Sequence, residues 1–180
     1  MTTNLRAYRI SFFLITVILL LGVQGCAGKG IEQDADRPQF ELSSDDLHEG
    51  IWDTVITNTS YGQNASPQLS WEPVDGAECY AIYMIDTSAR NWMHWKMENV
   101  AETELPRGSA SNAEYVGPYP PSGTHDYEIY VYALKAPVSE IGGDFDKANP
   151  DYDEIVRSLD KNGGNILACG HLKGTYTNGE

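Results

Sequence analysis

The feature that most constrains the fold is a proline-rich segment that runs directly into an alternating one. Residues 117–123 contain three prolines and two glycines, and the run from Tyr127 to Leu134 alternates in the manner of a β-strand. Because prolines fix φ, the segment predicts a stiff loop that places His125 and Tyr127 at the start of a strand. Being two residues apart, these two side chains would share a face. The residues alone leave two interpretations open: a binding site, or a plain proline-rich turn beside an exposed histidine.

Two further runs predict the centre of a sheet. Tyr80–Asp86 is almost wholly apolar, and Trp92–Val100 alternates polar positions, His94 among them, with apolar ones. Other candidate strands are Phe40–Leu42, Thr54–Ile56, Leu69–Trp71 and Ile166–Tyr176, the last interrupted at Gly170. The chain is therefore predicted to be mainly β.

One helix is predicted near the C-terminus. Asn149 is a favourable N-cap and Pro150 suits the first helical position. Apolar residues then recur at helical spacing from Tyr152 to Leu159, and Gly163–Gly164 end the pattern. Several strands with one late helix predict an antiparallel β-sandwich with the helix packed on it.

The first 25 residues are predicted to be a signal peptide rather than part of the fold. The run Ile10–Val23 is apolar over 14 residues, which is short of the roughly 20 needed to span a bilayer. The run is followed by Gln24, Gly25 and Cys26. This arrangement resembles the bacterial lipoprotein signal, in which the cysteine becomes the lipidated first residue of the mature protein. An ordinary cleaved signal peptide and an uncleaved anchor are the alternatives.

The lipoprotein resemblance implies a location as well as a domain division. Residues 26–38 would be the lipidated cysteine and a small, polar tether, and residues 39–180 would form one domain. The domain would then be held to a membrane of the bacterial cell envelope, on its periplasmic or extracellular face.

The composition argues against nucleic acid as a partner. The formal net charge is −14, and no basic run is present. Such a chain is not attracted to an anionic membrane surface, so the lipid on Cys26 would have to provide the attachment. Cys79 and Cys169 both lie in strand-like runs, where a disulfide and two buried thiols remain open. They show no spacing typical of a metal site.

Four side chains carry binding chemistry. Asp86 ends the strongest strand, His94 lies on the next, and His125 and Tyr127 follow the proline-rich segment. A carboxylate near two imidazoles raises their pKa, so we expect the imidazolium form. Imidazolium, phenol and backbone N–H groups make a donor set for a small oxyanion, and the carboxylate could accept a ligand ammonium.

These residues and their surroundings resemble the phosphatidylethanolamine-binding protein family, in particular its bacterial branch of Raf-kinase-inhibitor-like proteins. Six motifs match in order and cover nearly all of the predicted domain. They are Asn64–Trp71, Tyr83–Asp86, Trp92–Trp95, Leu105–Gly108, Gly117–His125 and Leu167–Tyr176.

The resemblance implies a β-sandwich with short peripheral helices and a small pocket for anions such as phosphate or a phospholipid head group. By position, the pocket would be lined by Asp86, His94, Pro118, Pro120, Pro121, His125 and Tyr127. It also implies a binding protein that modulates an unknown protein partner, without catalytic activity, cofactor or metal; a homodimer is compatible with it. His48 and His171 fall outside the motifs and are predicted to lie on the surface.

Two departures from the family pattern fall beside this pocket. Ser88 stands where the family has a second aspartate, and Asp126 where it has an arginine. If the two positions are neighbours, an ion pair is lost, and the pocket is less basic and its loop looser. One alternative is therefore an interaction domain with a vestigial pocket. Another is a phosphoester hydrolase that uses Asp86, His94 and His125 as acid–base groups.

Overall fold

The computed structural model describes residues 37–161 and 163–178, which form two β-sheets and one α-helix. The strands are β1 (Leu42–Ser43), β2 (Leu47–His48), β3 (Ile51–Trp52), β4 (Leu69–Trp71), β5 (Cys79–Asp86), β6 (Trp92–Val100), β7 (Glu104–Leu105), β8 (Thr124–Leu134) and β9 (Ile166–Thr177). The predicted signal peptide, the lipidated Cys26 and most of the tether lie outside the described residues.

The strands form a six-stranded sheet in the order β2-β3-β9-β8-β5-β6 and a three-stranded sheet in the order β1-β4-β7. Paired strands are antiparallel except β3 and β9, which run parallel. Leu69 and Trp71 of the small sheet share one buried cluster with Ile82 and Met84 of the large sheet, so the core lies between the two layers. The prediction of a mainly β sandwich is confirmed.

The opposite face of the large sheet carries the helix α1 (Tyr152–Leu159). Tyr152, Val156 and Leu159 are buried in a second cluster with side chains of β5 and β8. The predicted apolar stripe is therefore confirmed. Within the described ranges, no helix is long and apolar enough to cross a membrane.

Three details of the predicted elements are wrong. The helix begins two residues late, because the side-chain amide of Asn149 binds the backbone of Asp144 instead of capping it. Thr54–Ile56 is a short 3-10 helix rather than a strand. Strand β9 continues through Gly170, where a Cβ would lie 2.4 Å from the ring of Phe40; the glycine makes room for that ring.

The two described cysteines are thiols and do not form a disulfide with each other. Cys79 and Cys169 are both buried on the large sheet and are not joined to each other. Burial raises the pKa of the Cys79 thiol, and the nearby charge of Glu78 adds to this effect. Such a thiol is poorly reactive and serves packing.

A buried polar network lies on the helix side of β8. Glu128 is 2 % exposed; it accepts hydrogen bonds from the Tyr130 hydroxyl (2.6 Å) and His171 Nε2 (2.9 Å), and it pairs with Lys173 (3.3 Å). Burial alone would raise the pKa of Glu128, but the hydrogen bonds and the two positive partners outweigh it and lower the pKa to about 2. The prediction of a surface position is therefore wrong for His171, which is half-buried and stacks on Tyr130.

Candidate functional site

Strand register brings chemically active residues together at one end of the large sheet. Asp86, the last residue of β5, lies opposite Tyr127 of β8 on one side and opposite Trp92 of β6 on the other. Directly opposite residues of antiparallel strands share a face, so these three side chains lie on the same side of the sheet. His125, two residues before Tyr127 on β8, shares that face as the sequence predicted.

A β-bulge in β6 adds His94 to this group. The register shifts there: Met84 lies opposite Trp95, and Ile85 lies opposite Met93, which leaves His94 as an extra residue. A bulge takes its residue out of the regular alternation and re-aims the side chain. His94 lines the cavity together with Trp92, whereas Lys96, beyond the bulge, lies opposite Tyr83 on the helix side; His94 is 7 % exposed.

The outer edge of β6 is covered by two segments that meet at this bulge. The backbone of Met93 pairs with Asp146 and Lys147, whereas the carbonyl of His94 accepts from the N–H of Val116 (2.8 Å). Asp146 from the first segment and Val116 from the second both line the same cavity. The bulge thus marks the place where the two covering segments meet beside the cavity.

The proline-rich segment is clamped to the loop of residues 57–64. The N–H of Asn58 donates to the carbonyl of Pro118 (3.1 Å), and the N–H of Gly117 donates to the Asn64 side chain (2.7 Å). A Cβ at position 117 would lie 2.1 Å from the carbonyl oxygen of Ile56, so the close approach of the two loops requires glycine there. These contacts hold the segment against the sandwich.

A cavity of about 420 Å³ opens where these elements meet. Four of the predicted site residues line it: Asp86, His94, Pro121 and His125. Its other lining residues are Asn58, Ala89, Trp92, Val116, Gly117, Tyr119 and Asp146. The predicted Pro118 and Pro120 are buried but are not among the lining residues, and Tyr127 lies beside the rings of His94 and His125.

Asp86 and His125 form a close pair at the floor of the cavity. His125 Nδ1 lies 2.6 Å from Asp86 Oδ2, and the other carboxylate oxygen accepts the backbone N–H of Ser88 (2.9 Å). The Asp86 side chain is 4 % exposed and that of His125 is 17 % exposed. The carboxylate therefore fixes the orientation of the imidazole, and Nε2 is the ring nitrogen left for a ligand.

His94 is oriented by the protein backbone. Its Nδ1 lies 2.8 Å from the carbonyl of Val116; a carbonyl only accepts, so Nδ1 carries the hydrogen. Burial lowers the pKa of His94, although the Val116 hydrogen bond and the charges of Asp86 and Asp146 act in the opposite direction. The expectation of an imidazolium is thus wrong for His94, whose neutral ring keeps a lone pair on Nε2.

The hydroxyl of Tyr127 is buried and makes no hydrogen bond of normal geometry to the described residues, although the Asp86 carboxylate and the backbone of Tyr119 lie near enough to affect its pKa. Its ring stands edge-on to His94, with centroids 5.3 Å apart, and near-parallel to His125 at 6.4 Å. Burial and the nearby charge of Asp86 raise the pKa of Tyr127, so the phenol stays protonated. Buried donors without acceptors are uncommon and call for an explanation, which a bound ligand can supply.

The charged groups in the cavity wall are acidic. Asp86 and Asp146 are its carboxylates, and no lysine or arginine is among the lining residues. The Trp92 indole donates to Asp146 Oδ1 (3.1 Å), which ties the mouth of the cavity together. Across residues 37–161 and 163–178, no group of three or more metal-binding side chains could hold a metal ion.

Comparison with known proteins decides the family. The sequence profile of the phosphatidylethanolamine-binding protein family matches residues 35–177. The chain belongs to this family. It is 29 % identical over 143 residues to a UPF0098 protein of Methanothermobacter thermautotrophicus, an alignment covering 67 % of this chain and 88 % of the relative.

Solved structures of bacterial family members share the fold. CT736 of Chlamydia trachomatis, described as a homologue of phosphatidylethanolamine-binding protein, superposes with a TM-score of 0.62 at 23 % identity. YbcL of Escherichia coli, described as a member of the mammalian family, gives 0.61 at 20 %. Each comparison covers 78 % of this chain and 99 % of the other. The fold predicted from the motifs is therefore that of the family.

The two departures from the family pattern are neighbours in space. The Ser88 hydroxyl accepts the backbone N–H of Asp126 (3.0 Å), and the Thr87 hydroxyl donates to the carbonyl of Asp126 (3.4 Å). The Asp126 carboxylate pairs instead with Lys173 (3.6 Å). Hydroxyl–backbone hydrogen bonds thus join the two segments where the family resemblance implies an ion pair.

Seven of the lining residues were not among the predicted site residues, and three of them escaped the sequence reasoning for different reasons. Tyr119 lies inside the proline-rich segment, so the stiffness of that segment was a usable signal. Trp92 shares the start of β6 with His94, but its pairing opposite Asp86 depends on the register. Asp146 comes from a distant loop that reaches the cavity only by pairing with Met93, and nothing in the sequence indicates that pairing.

Proposed function

We propose that this chain is a non-enzymatic binding protein that holds a small phosphate-bearing ligand, such as a phospholipid head group, in the cavity. We further propose that a lipid on Cys26 tethers it to a membrane of the bacterial cell envelope. Membership of the family supports a binding protein. The observation that carries the ligand class is the buried Tyr127 hydroxyl, a donor that makes no hydrogen bond of normal geometry to the described residues and lies beside two histidines.

The protonation state of the cavity selects the form of the phosphate. A phosphate monoester ionises a second time near pH 6, so both of its ionised forms are present close to neutrality. A P–O–H group can donate to the lone pair of neutral His94 Nε2, while another phosphate oxygen accepts from Tyr127. Alternatively, the dianion binds as His94 takes up a proton. The phosphodiester of a phospholipid head group has no P–O–H and carries a single charge, so it takes only this second route, in which His94 supplies the donor.

The acidic wall favours a ligand that also carries a positive charge. Asp86 and Asp146 line the cavity, and no cationic lysine or arginine offsets them there. A fully ionised phosphate alone would be repelled by these carboxylates at short range. An ammonium joined to the phosphate, as in phosphoethanolamine, would satisfy both kinds of group.

The four histidines of the chain allow a direct test with internal controls. The imidazole chemical shifts should be followed by NMR during titration with inorganic phosphate and with phosphoethanolamine. We expect His94 and His125 to shift at millimolar ligand, and phosphoethanolamine to bind more tightly than phosphate. His48, exposed outside the cavity, and His171, on the helix side of β8, should not move.

Absence of any shift at His94 and His125 at millimolar ligand would contradict the proposal. Equal shifts at all four histidines would point to a pH or ionic-strength effect and would count against it too. In the first case the interaction domain with a vestigial pocket becomes the better interpretation.

The tether is tested separately from the cavity. Cells expressing the full chain should incorporate labelled palmitate into it, and the Cys26→Ala variant should not. Labelling that persists in the variant, or soluble wild-type protein without label, would contradict lipidation of Cys26.

A hydrolase is favoured by one observation, the 2.6 Å contact of His125 with Asp86, which is the arrangement of an oriented general base. The nearby Ser88 hydroxyl accepts a backbone N–H from Asp126 and is not in contact with either imidazole in the described structure. Turnover of a phosphoester panel that His125→Ala abolishes would establish this alternative.

A further inference from the structure

Of the four large apolar side chains exposed on the described surface, two line the cavity and a third lies in the loop that contributes Asn58 to it. The four are Ile51 (59 % exposed), Tyr61 (71 %), Trp92 (37 %) and Tyr119 (59 %). Trp92 and Tyr119 line the cavity, and Tyr61 belongs to the loop of residues 57–64, which is hydrogen-bonded to the proline-rich segment. We call Tyr61, Trp92 and Tyr119 the aromatic rim.

We propose that the aromatic rim docks onto the surface of a zwitterionic phospholipid bilayer, so that the cavity opens directly towards lipid head groups. This inference rests on the head-group function proposed above. It adds the surface through which the ligand is reached and the class of membrane that the surface fits.

The residue types of the rim are those of a membrane interface. Tyrosine and tryptophan combine an apolar ring with a polar group, and they are enriched where hydrocarbon meets head groups. The rim fits this pattern, since its members are two tyrosines and one tryptophan. The Trp92 indole N–H already donates to Asp146 at the mouth, which leaves its partly exposed ring available for apolar contact.

The charge around the cavity selects a zwitterionic rather than an anionic bilayer. Asp86 and Asp146 lie in the cavity wall without a lysine or arginine among the lining residues, and the chain has a net charge of −14. Anionic lipids would be repelled by this surface within a Debye length. Zwitterionic lipids present ammonium groups, which are complementary to the two carboxylates.

The chain between Cys26 and the described domain is long enough for this orientation. Residues 27–37 number eleven, and a fully extended chain of that length spans at most about 40 Å. A domain of this size has a radius of gyration of roughly 15 Å. A tether on Cys26 therefore does not prevent the aromatic rim from reaching the membrane.

Trp92 makes the docking measurable in the full chain. The other three tryptophans, Trp52, Trp71 and Trp95, are at most 5 % exposed, so a quencher outside the domain acts mainly on Trp92. The full-length protein should be reconstituted into phosphatidylcholine vesicles with and without brominated acyl chains, and Trp92→Phe identifies the Trp92 signal. We expect bromine quenching of Trp92 in zwitterionic vesicles, and less of it when phosphatidylglycerol is added.

Matched variants test whether the rim is responsible. Tyr61→Ala and Tyr119→Ala should each lower the ratio of docked to undocked protein by about fivefold, the loss expected for partial burial of one aromatic ring. Ile51→Ala removes an equally exposed apolar side chain outside the rim and should change nothing. Thermal melts of all variants establish that each is folded.

Trp92 emission that is identical with brominated and ordinary lipids would overturn the inference. So would equal effects of Tyr61→Ala and Ile51→Ala. Phosphoethanolamine titration in detergent, read at His125, tests the head-group function independently. Binding there without quenching in vesicles refutes the docking surface alone, and quenching without binding refutes the head-group function while supporting the surface.

Discussion

Two histidine–carboxylate pairs lie on opposite faces of β8, and they differ in how completely their surroundings satisfy them. His171 and Glu128 are 2.9 Å apart on the helix side, where the carboxylate also binds Tyr130 and Lys173. His125 and Asp86 are 2.6 Å apart on the cavity side, where the neighbouring Tyr127 hydroxyl has no partner among the described residues.

The difference shows that the chemical pair does not by itself make a site. The Glu128 carboxylate is surrounded by donors and leaves no polar group for a ligand to satisfy, so it serves the fold. The Asp86 pair borders a cavity of about 420 Å³ and the Tyr127 hydroxyl, a donor that makes no hydrogen bond of normal geometry to the described residues. We therefore expect changes at Glu128 to lower stability and changes at the cavity histidines to lower ligand affinity.

The largest expected effect is that of Glu128→Gln. The substitution leaves His171 and Lys173 without their buried carboxylate partner, and breaking a buried ion pair costs several kcal/mol. Because both partners are partly exposed, we expect the free energy of unfolding to fall by about 3 kcal/mol in urea titrations.

Asp126→Asn is the matched control for that change. Asp126 pairs with the same Lys173, but its side chain is 42 % exposed, so its loss should cost less than about 0.5 kcal/mol. Equal losses for the two variants would show that burial does not determine how much each carboxylate that pairs with Lys173 contributes to stability.

The second effect is the acid sensitivity of the same network. The pKa of Glu128 is lowered to about 2 in the folded protein from an ordinary value of 4.5, so the unfolded chain binds its proton more readily. This contribution is fully present above about pH 4.5 and is lost as the pH falls from there towards 2. Urea titrations should show less acid-induced loss in Glu128→Gln than in wild type; parallel pH profiles would contradict the assignment.

The sequence predicted the sandwich because alternation and motif order are local properties. It placed His125 and Tyr127 on one face, since a two-residue spacing suffices for that, and it predicted Asp86 at the end of β5; that Asp86 lies opposite Tyr127 depends on the register. The family resemblance placed His94 in the pocket, but neither the bulge at His94, which depends on how β5 and β6 pair, nor the contribution of Asp146 could be predicted. His171 was misplaced for a similar reason: the carboxylate and ring that bury it come from β8.

The third effect concerns ligand affinity. His125→Ala should weaken phosphoethanolamine binding at least tenfold, about 1.4 kcal/mol, measured by calorimetry, because it removes a ring oriented into the cavity. His171→Ala should instead lower the free energy of unfolding by about 1–2 kcal/mol and leave the affinity for phosphoethanolamine unchanged. Comparable losses of affinity in the two variants would contradict the assignment of the His125–Asp86 pair to ligand binding and of the His171–Glu128 pair to stability.

The smallest expected effect is a pH dependence that originates at His94. Burial lowers its folded pKa below the ordinary 6.5, so between these two values the unfolded chain binds more protons than the folded one. The free energy of unfolding should therefore rise with pH up to about 6.5, and His94→Gln should remove this rise. Saturating phosphate should reverse the slope, because a bound anion favours the protonated ring. A rise that persists in His94→Gln, or that phosphate leaves unchanged, would show that the cavity does not exchange a proton with its ligand through His94.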